Sequence, residues 1–302
     1  MNKVLITGIT GKSGEFFLDE LIKNKDKLND YSFRFFIRST SNKELFKNIP
    51  LNFELFEGNL NVNKDVEAFV SGDFDTMVHI MGISNSLGLV SAGIKKGVKR
   101  FILVHTTGIY SKYKAAGEMY RQIDAELEKL CKDEGASLTI LRPTMIYGNL
   151  NDKNISTFIR MVDKLRVFPV VSGAKFLLQP VWCGDLGKAY YDVLVNPDIT
   201  NNKNYVLSGK EPILLLDILK EISKQLDVKN TFVSVPYWLA YSGAWCIYLC
   251  SFKKIDYREK VQRLVEPRAY SHEDAANDFG YNPLSFADGV RFEIEEYKKN
   301  KR

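Results

Sequence analysis

Three glycines near the N-terminus are spaced for phosphate chemistry. The segment Thr7, Gly8, Ile9, Thr10, Gly11, Lys12, Ser13, Gly14 follows an apolar run, Val4 to Ile6, and precedes apolar positions Phe17, Leu18, Leu21 and Ile22. The run reads as a buried strand, and the later positions as one face of a helix. A strand that enters a helix through such a turn aims free N–H groups and the positive end of a helix dipole at an anion. Gly8 permits the tight turn, Gly11 lets the backbone approach a pyrophosphate, and Gly14 lets helix and strand pack closely.

A loop of this kind needs a sheet to hold it. Strand signals recur at Val4–Thr7, Phe33–Ile37, Asn52–Phe56, Thr76–Ile80, Arg100–His105 and Leu138–Leu141, with helical stretches between them, notably Asn85–Lys96 and Lys114–Asp133. That alternation predicts an α/β fold, a doubly wound parallel sheet of Rossmann type. Ligands of such sheets bind at the carboxyl ends of the strands, so the residues just after each strand are the ones to inspect. With 302 residues and 45% apolar content, the chain can bury a core of this size. Its 42 basic and 37 acidic residues leave a net charge of +5, too mild and too spread to argue for nucleic acid. Four cysteines without a CxxC pair, and a first strand starting at residue 3, read as a protein of the reducing cytoplasm. Three scattered histidines offer no metal-ligand spacing, so no metal is expected.

The residues after the strands resemble a known family. Thr7 to Gly14 matches the TGxxGxxG signature of extended short-chain dehydrogenases/reductases, the NAD(P)-dependent epimerase/dehydratase group. Gly58-Asn59-Leu60 resembles their GDL, and His79-Ile80-Met81-Gly82 their HxAG. Leu141-Arg142-Pro143 through Tyr147-Gly148 resembles LRPxxVYG, and Pro180 to Leu186 resembles PVxVxDL. Phe279 to Gly289 resembles GYxPxxxFxxG. Six motifs in order cover almost the whole chain. The resemblance implies an NAD(P)-binding Rossmann core over 1–145. A substrate-binding region over 146–302 would return some segments to the sheet. It also implies a cofactor site built from Thr7, Gly8, Thr10, Gly11, Lys12, Ser13, Gly14, Asn59, Leu60, Met81, Gly82, Lys114 and Pro143.

Cofactor choice is read after the second strand. NAD binders usually place an acid there for the ribose hydroxyls. This chain has Arg38 and Ser39 instead, a fork and a hydroxyl suited to a 2′-phosphate, so NADP(H) is favoured over NAD(H). The family's catalytic set is Ser/Thr, Tyr and Lys. The tyrosine is acid/base for the carbonyl or hydroxyl. The lysine binds ribose and lowers the tyrosine pKa, and the Ser/Thr hydroxyl holds the substrate oxygen. Thr106, Tyr110 and Lys114 supply these types, with Tyr110 and Lys114 one helical turn apart. The loop between Thr106 and Tyr110 is much shorter than the family's. Three readings therefore stand: Tyr110 as acid/base, Tyr113 in its place, or a structural tyrosine in an atypical member. His105 and His79 read as packing or turn-shaping residues, Arg142 as structural, and Asp185 as the anchor of a helix at Leu186–Leu194.

These expectations describe an oxidoreductase or epimerase acting on a sugar carbon. Its partner would be a small molecule, a nucleotide sugar, whose phosphates would meet Arg160, Arg166, Lys175 or Arg268. The competing reading is a non-catalytic NADP(H)-binding sensor or assembly factor on the same fold. The oligomeric state is not legible. The stretch from Asn230 to Phe252 carries no charge and is rich in aromatics. The part after Pro236 is shorter than the roughly 20 residues that span a bilayer. A helix roofing the pocket, with Leu239, Trp245, Ile247 and Leu249 buried, is preferred over attachment to a membrane surface.

Overall fold

The computed structural model describes residues 2–113 and 115–301. Its central sheet contains β1 (Asn2–Thr7), β2 (Tyr31–Ile37), β3 (Phe53–Glu57), β4 (Thr76–His79), β5 (Arg100–Val104) and β6 (Ser137–Pro143). A seventh strand, Asn204–Leu207, joins from the second half of the chain, and the order is Asn204–Leu207, β6, β5, β4, β1, β2, β3. All neighbours run parallel, from Val4 beside Phe33 and Thr76 to Leu103 beside Ile140. The expected Rossmann sheet is present, with strand boundaries within two residues of the sequence reading at most ends.

Helices cover both faces. They are α1 (Lys12–Lys23), α2 (Asn63–Phe69), α3 (Ser86–Lys95), α4 (Gly117–Asp133), α5 (Ile155–Lys164), α6 (Cys183–Val195), α7 (Pro197–Thr200), α8 (Leu215–Leu226), α9 (Tyr237–Cys250) and α10 (Arg258–Leu264), followed by Glu273–Phe279 and Phe286–Lys301. On one face α1 and α6 pack Phe17, Leu21, Tyr190 and Leu194 against Ile6, Phe35 and Val104. The approach is close: a Cβ at Gly187 would lie 2.5 Å from the Phe16 carbonyl carbon. On the other face Phe69, Leu89 and Leu127 cover Leu5, Met77 and Leu103. A separate cluster in the second half joins Ile155, Ile159, Leu219, Ile222, Val290 and Ile294.

Two late motifs turn out to be packing devices. Tyr147 is buried, and a Cβ at Gly289 would sit 2.1 Å from its hydroxyl. Gly148 has φ +114 with Trp182 against it. Asp185 lies in the first turn of α6, where its carboxylate accepts the Leu284 N–H at 3.0 Å. Burial raises its pKa to about 6.

The sequence expectation for α9 is corrected. Leu239 is 49%, Trp245 40%, Ile247 43% and Leu249 58% exposed, and the buried residue of this helix is Ala244. Apolar content gives a helix a tendency to be covered, but a packed neighbour is needed to cover it. Here α10 packs along α9, with the Arg258 guanidinium 4.2 Å above the Trp245 ring and 3.9 Å above Tyr248. Among the described residues no helix is long and apolar enough to cross a membrane.

Candidate functional site

The loop between β1 and α1 has the geometry that a diphosphate requires. Gly8 sits at φ +81, a conformation that costs a residue with a side chain about 1–2 kcal/mol. The Gly11 N–H donates to the Gly8 carbonyl at 2.9 Å, and the Glu15 N–H to Gly11 at 3.0 Å. By helix geometry the N–H groups of Lys12, Ser13 and Gly14 are left for a ligand. A Cβ at Gly14 would lie 2.1 Å from the Gly8 carbonyl oxygen, so no other residue fits without moving backbone. The residues present therefore fit a dinucleotide pyrophosphate.

Two adjoining cavities open from this loop, with Ile80 and Met81 lining both. The smaller, about 90 Å³, is lined by Gly8, Thr10, Gly11, Phe36, Arg38 and Ser41. Ser39, expected there, is exposed one turn away. Ser41 takes its place: its hydroxyl accepts the Arg38 N–H at 3.1 Å and lies 3.4 Å from the Thr10 hydroxyl. The larger cavity, about 480 Å³, is lined by Lys12, Ser13, Met81 and Gly82 and also by Arg263, Arg268 and Tyr270. Thr106, Thr107, Ser111 and Tyr120 lie along its wall.

Some expected cofactor residues support the loop rather than line it. Thr7 is fully buried and shares a 2.6 Å hydrogen bond with His79 Nδ1. Burial lowers the His79 pKa to about 4, so the ring is neutral. The Pro143 carbonyl accepts the Thr107 hydroxyl at 3.2 Å. Asn59 is exposed, its side chain accepting from the Asn61 N–H at 3.0 Å. Leu60 lines a different cavity, between α2 and α3.

The residues expected to be catalytic are not brought together as the sequence spacing suggests. Residues Thr107–Tyr110 form a 3-10 turn, capped where the Thr106 hydroxyl accepts the Gly108 N–H at 3.0 Å. The helix starts at Gly117, so Tyr110 lies outside it, in the 3-10 turn. Lys114 itself lies outside the described residues. Tyr110 is 49% exposed and packs against Tyr270, with ring centroids 5.4 Å apart, and Tyr113 is also exposed. Neither lines the cavity. Tyr120, which the sequence reading missed, does.

Tyr120 and Asp124 stand on α4 at the spacing of a Tyr-x-x-x-Lys pair, with an acid in place of the lysine. Asp124 is buried and holds two partners: His105 Nδ1 at 2.6 Å and Arg142 Nη1 at 2.7 Å. His105 Nε2 in turn lies 2.9 Å from the Ser86 hydroxyl. The order Ser, His, Asp is that of a hydrolytic triad, but Ser86 is fully buried at the start of α3 and does not line the cavity. The network fixes the ends of β5 and β6 to α3 and α4 beneath the site.

The two cavity arginines are the strongest electrostatic feature. The Nε atoms of Arg263 and Arg268 are buried without a hydrogen-bond partner among the described residues, while Arg263 Nη1 lies 3.8 Å from the Glu259 carboxylate. Burial lowers the Arg268 pKa to about 10, with neighbouring Arg263 adding to the effect. Of the four cations expected for substrate phosphate, Arg268 lines this cavity, whereas Arg160 is tied to the Leu150 carbonyl at 2.6 Å and to the Ser156 hydroxyl. Arg166 and Lys175 do not line it. Among the described residues no three His, Cys, Asp or Glu side chains are grouped to hold a metal ion.

Residues 8–168 match a family model described as NAD(P)H-binding, which is more than half of the chain. The chain belongs to that family. It is 25% identical over 264 residues to the UDP-glucose 4-epimerase of Vibrio cholerae, covering 78% of this chain and 79% of that protein. Among solved structures it superposes on the UDP-glucose 4-epimerase of Thermotoga maritima with a TM-score of 0.73 and 17% identity, over 99% of this chain and 100% of the other. The UDP-glucuronic acid 4-epimerase of Bacillus cereus, solved with UDP-glucuronic acid and NAD, gives 0.72 and 17%, over 98% and 99%. The fold is that of these nucleotide-sugar epimerases.

Proposed function

We propose that this protein is an NADP(H)-dependent redox enzyme acting at a sugar carbon of a nucleotide sugar, by keto-sugar reduction or by epimerisation through a keto intermediate. Residues 1–145 supply the cofactor site, and 146–302 supply most of the substrate side. One observation carries the reading. The hydroxyl-bearing residues Thr106, Thr107 and Tyr120 line one cavity together with Lys12 and Ser13 of the glycine loop and with two arginines whose buried Nε atoms have no hydrogen-bond partner among the described residues.

The roles follow from position. The N–H groups at the start of α1 hold the pyrophosphate. Arg38 and Ser41 meet the 2′-phosphate, in a pocket lined by no acid. The nicotinamide, when bound, exchanges hydride with the sugar carbon. The Thr106 hydroxyl accepts from the Gly108 N–H and keeps its own proton to donate to the substrate oxygen. The Tyr120 phenol gives a proton to that oxygen on reduction and takes it on oxidation. Arg263 and Arg268 clamp the substrate diphosphate and so satisfy their buried Nε atoms.

Asp124 in the place of a catalytic lysine favours a second reading, an NADP(H)-binding sensor that has lost turnover. Incubation with NADP(H) and a panel of UDP- and dTDP-sugars separates the two, read by absorbance at the nicotinamide band and by chromatography of the sugar. Conversion of at least one sugar is expected. Tight NADPH binding with no conversion of any sugar would leave the sensor reading standing.

A further inference from the structure

The helix α9 and the corner that follows it form a surface that the site described above does not use. Trp238 is 67% exposed, Leu249 58% and Phe252 87%. Exposed residues occur on successive turns and in neighbouring positions, from Trp238 and Leu239 through Trp245, Cys246 and Ile247 to Leu249 and Cys250. The helix is therefore apolar around most of its circumference, without the single stripe that seats one helix on another. At 14 residues, about 21 Å, it is too short to cross a bilayer, which takes roughly 20 residues.

The charges around it have one sign. From Val228 to Ile255 the chain holds no acid and three lysines: Lys229, Lys253 and Lys254. Phe252 and Lys253 turn the chain at φ +54 and +66 and leave Phe252, Lys253 and Lys254 exposed at the end of the helix. The acids of the adjoining segment are engaged elsewhere. Asp256 accepts from Arg258 at 2.7 Å, and Glu266 accepts the Ser111 hydroxyl at 2.6 Å and the Lys112 N–H at 2.7 Å.

We propose that α9 and the Phe252–Lys254 corner dock this protein onto an anionic bilayer surface. Trp238, Leu239, Trp245, Ile247, Leu249 and Phe252 would enter the headgroup and acyl boundary, with Lys253 and Lys254 on the lipid phosphates. Exposed aromatics beside lysines suit this depth, where a ring has one apolar and one wet side. A second copy of the chain would present the same two lysines and no acids of its own, so charge complementarity favours lipid over self-association. Because α10 leads directly from this surface to Arg263 in the cavity, docking would set the substrate cavity beside the headgroup layer.

The test uses the full chain with phosphatidylcholine vesicles, with and without phosphatidylglycerol. Sedimentation with the anionic vesicles is expected, with a blue shift of tryptophan emission. Lys253→Glu/Lys254→Glu should weaken binding by at least about tenfold, the scale set by two basic residues near an anionic surface. Leu249→Ser/Phe252→Ser should weaken it comparably while leaving the melting temperature unchanged, since both residues are exposed. Wild-type protein that stays in the supernatant with anionic vesicles would overturn the proposal. So would a dimer in sedimentation velocity that Leu249→Ser/Phe252→Ser converts to monomer, because a second copy would then be what covers α9.

Discussion

Arg268→Met should separate binding from stability. The Arg268 guanidinium is buried at the cavity wall, its Nε lacks a hydrogen-bond partner among the described residues, and burial pushes its pKa down to about 10. Among the described residues it has no hydrogen-bonded counter-ion, although the Glu266 carboxylate is near enough to offset part of the cost of burying the charge. Methionine of similar length removes that cost, so the melting temperature should hold or rise by a few degrees. Binding should move the other way. A hydrogen bond to a charged group is worth about 1.5–3 kcal/mol, which converts to a loss of about 10- to 150-fold in affinity for a UDP-sugar or UDP. Arg268→Lys keeps the charge but not the planar fork, and should fall between. Calorimetric titration of UDP into the NADP⁺-loaded protein reads the affinity, and scanning fluorimetry reads the stability. Unchanged UDP affinity, or a melting temperature lowered by more than about 5 °C, would refute the assignment. A fall that large corresponds to about 3 kcal/mol in a chain of this length and would mark a structural arginine.

Three further outcomes follow from the same geometry. Gly14→Ala forces a methyl into the Gly8 carbonyl, so nucleotide binding should vanish and the melting temperature should drop, both read in one thermal-shift titration with NADPH. Arg38→Ala should cost NADPH about tenfold or more and leave NADH affinity unchanged, and equal losses for both would remove the 2′-phosphate role. His79 has its folded pKa depressed to about 4, so its contribution to stability is present above the ordinary histidine value of 6.5 and is lost as pH falls toward 4. The scale is about 3 kcal/mol. His79→Asn should flatten that acid limb of the melting curve, and an unchanged limb would assign it to other groups.

The parts of the account legible in the sequence are those whose signal is local. The glycine loop needs three residues at fixed offsets, and the strands need short apolar runs between helices, so both can be read from a few neighbouring positions. Arg38 was legible because it directly follows the second strand. Ser41 was not, because the turn that brings it back to Thr10 is set by its bond to the Arg38 N–H. Tyr120 was hidden by where its helix begins. The spacing of Tyr110 and position 114 suggested a helix there, whereas a capped 3-10 turn delays it to Gly117. The pairing of Tyr120 with Asp124 at i, i+4 was a usable signal, obscured by an acid where a lysine was sought. Arg263 carries no local signal, because its place in the cavity depends on how α10 packs against α9. The exposure of α9 could not be read from its composition, since burial depends on which elements pack against it.

The most direct test of the central claim compares Tyr120→Phe with Tyr110→Phe under single-turnover conditions, following the nicotinamide absorbance with a nucleotide sugar that the wild-type protein converts. Tyr120 and Thr106 both line the cavity and Tyr110 does not. Tyr120→Phe should therefore slow hydride transfer by at least about a hundredfold with NADPH affinity unchanged, while Tyr110→Phe should stay near the wild-type rate. A fast Tyr120→Phe protein beside a slow Tyr110→Phe protein would contradict the account.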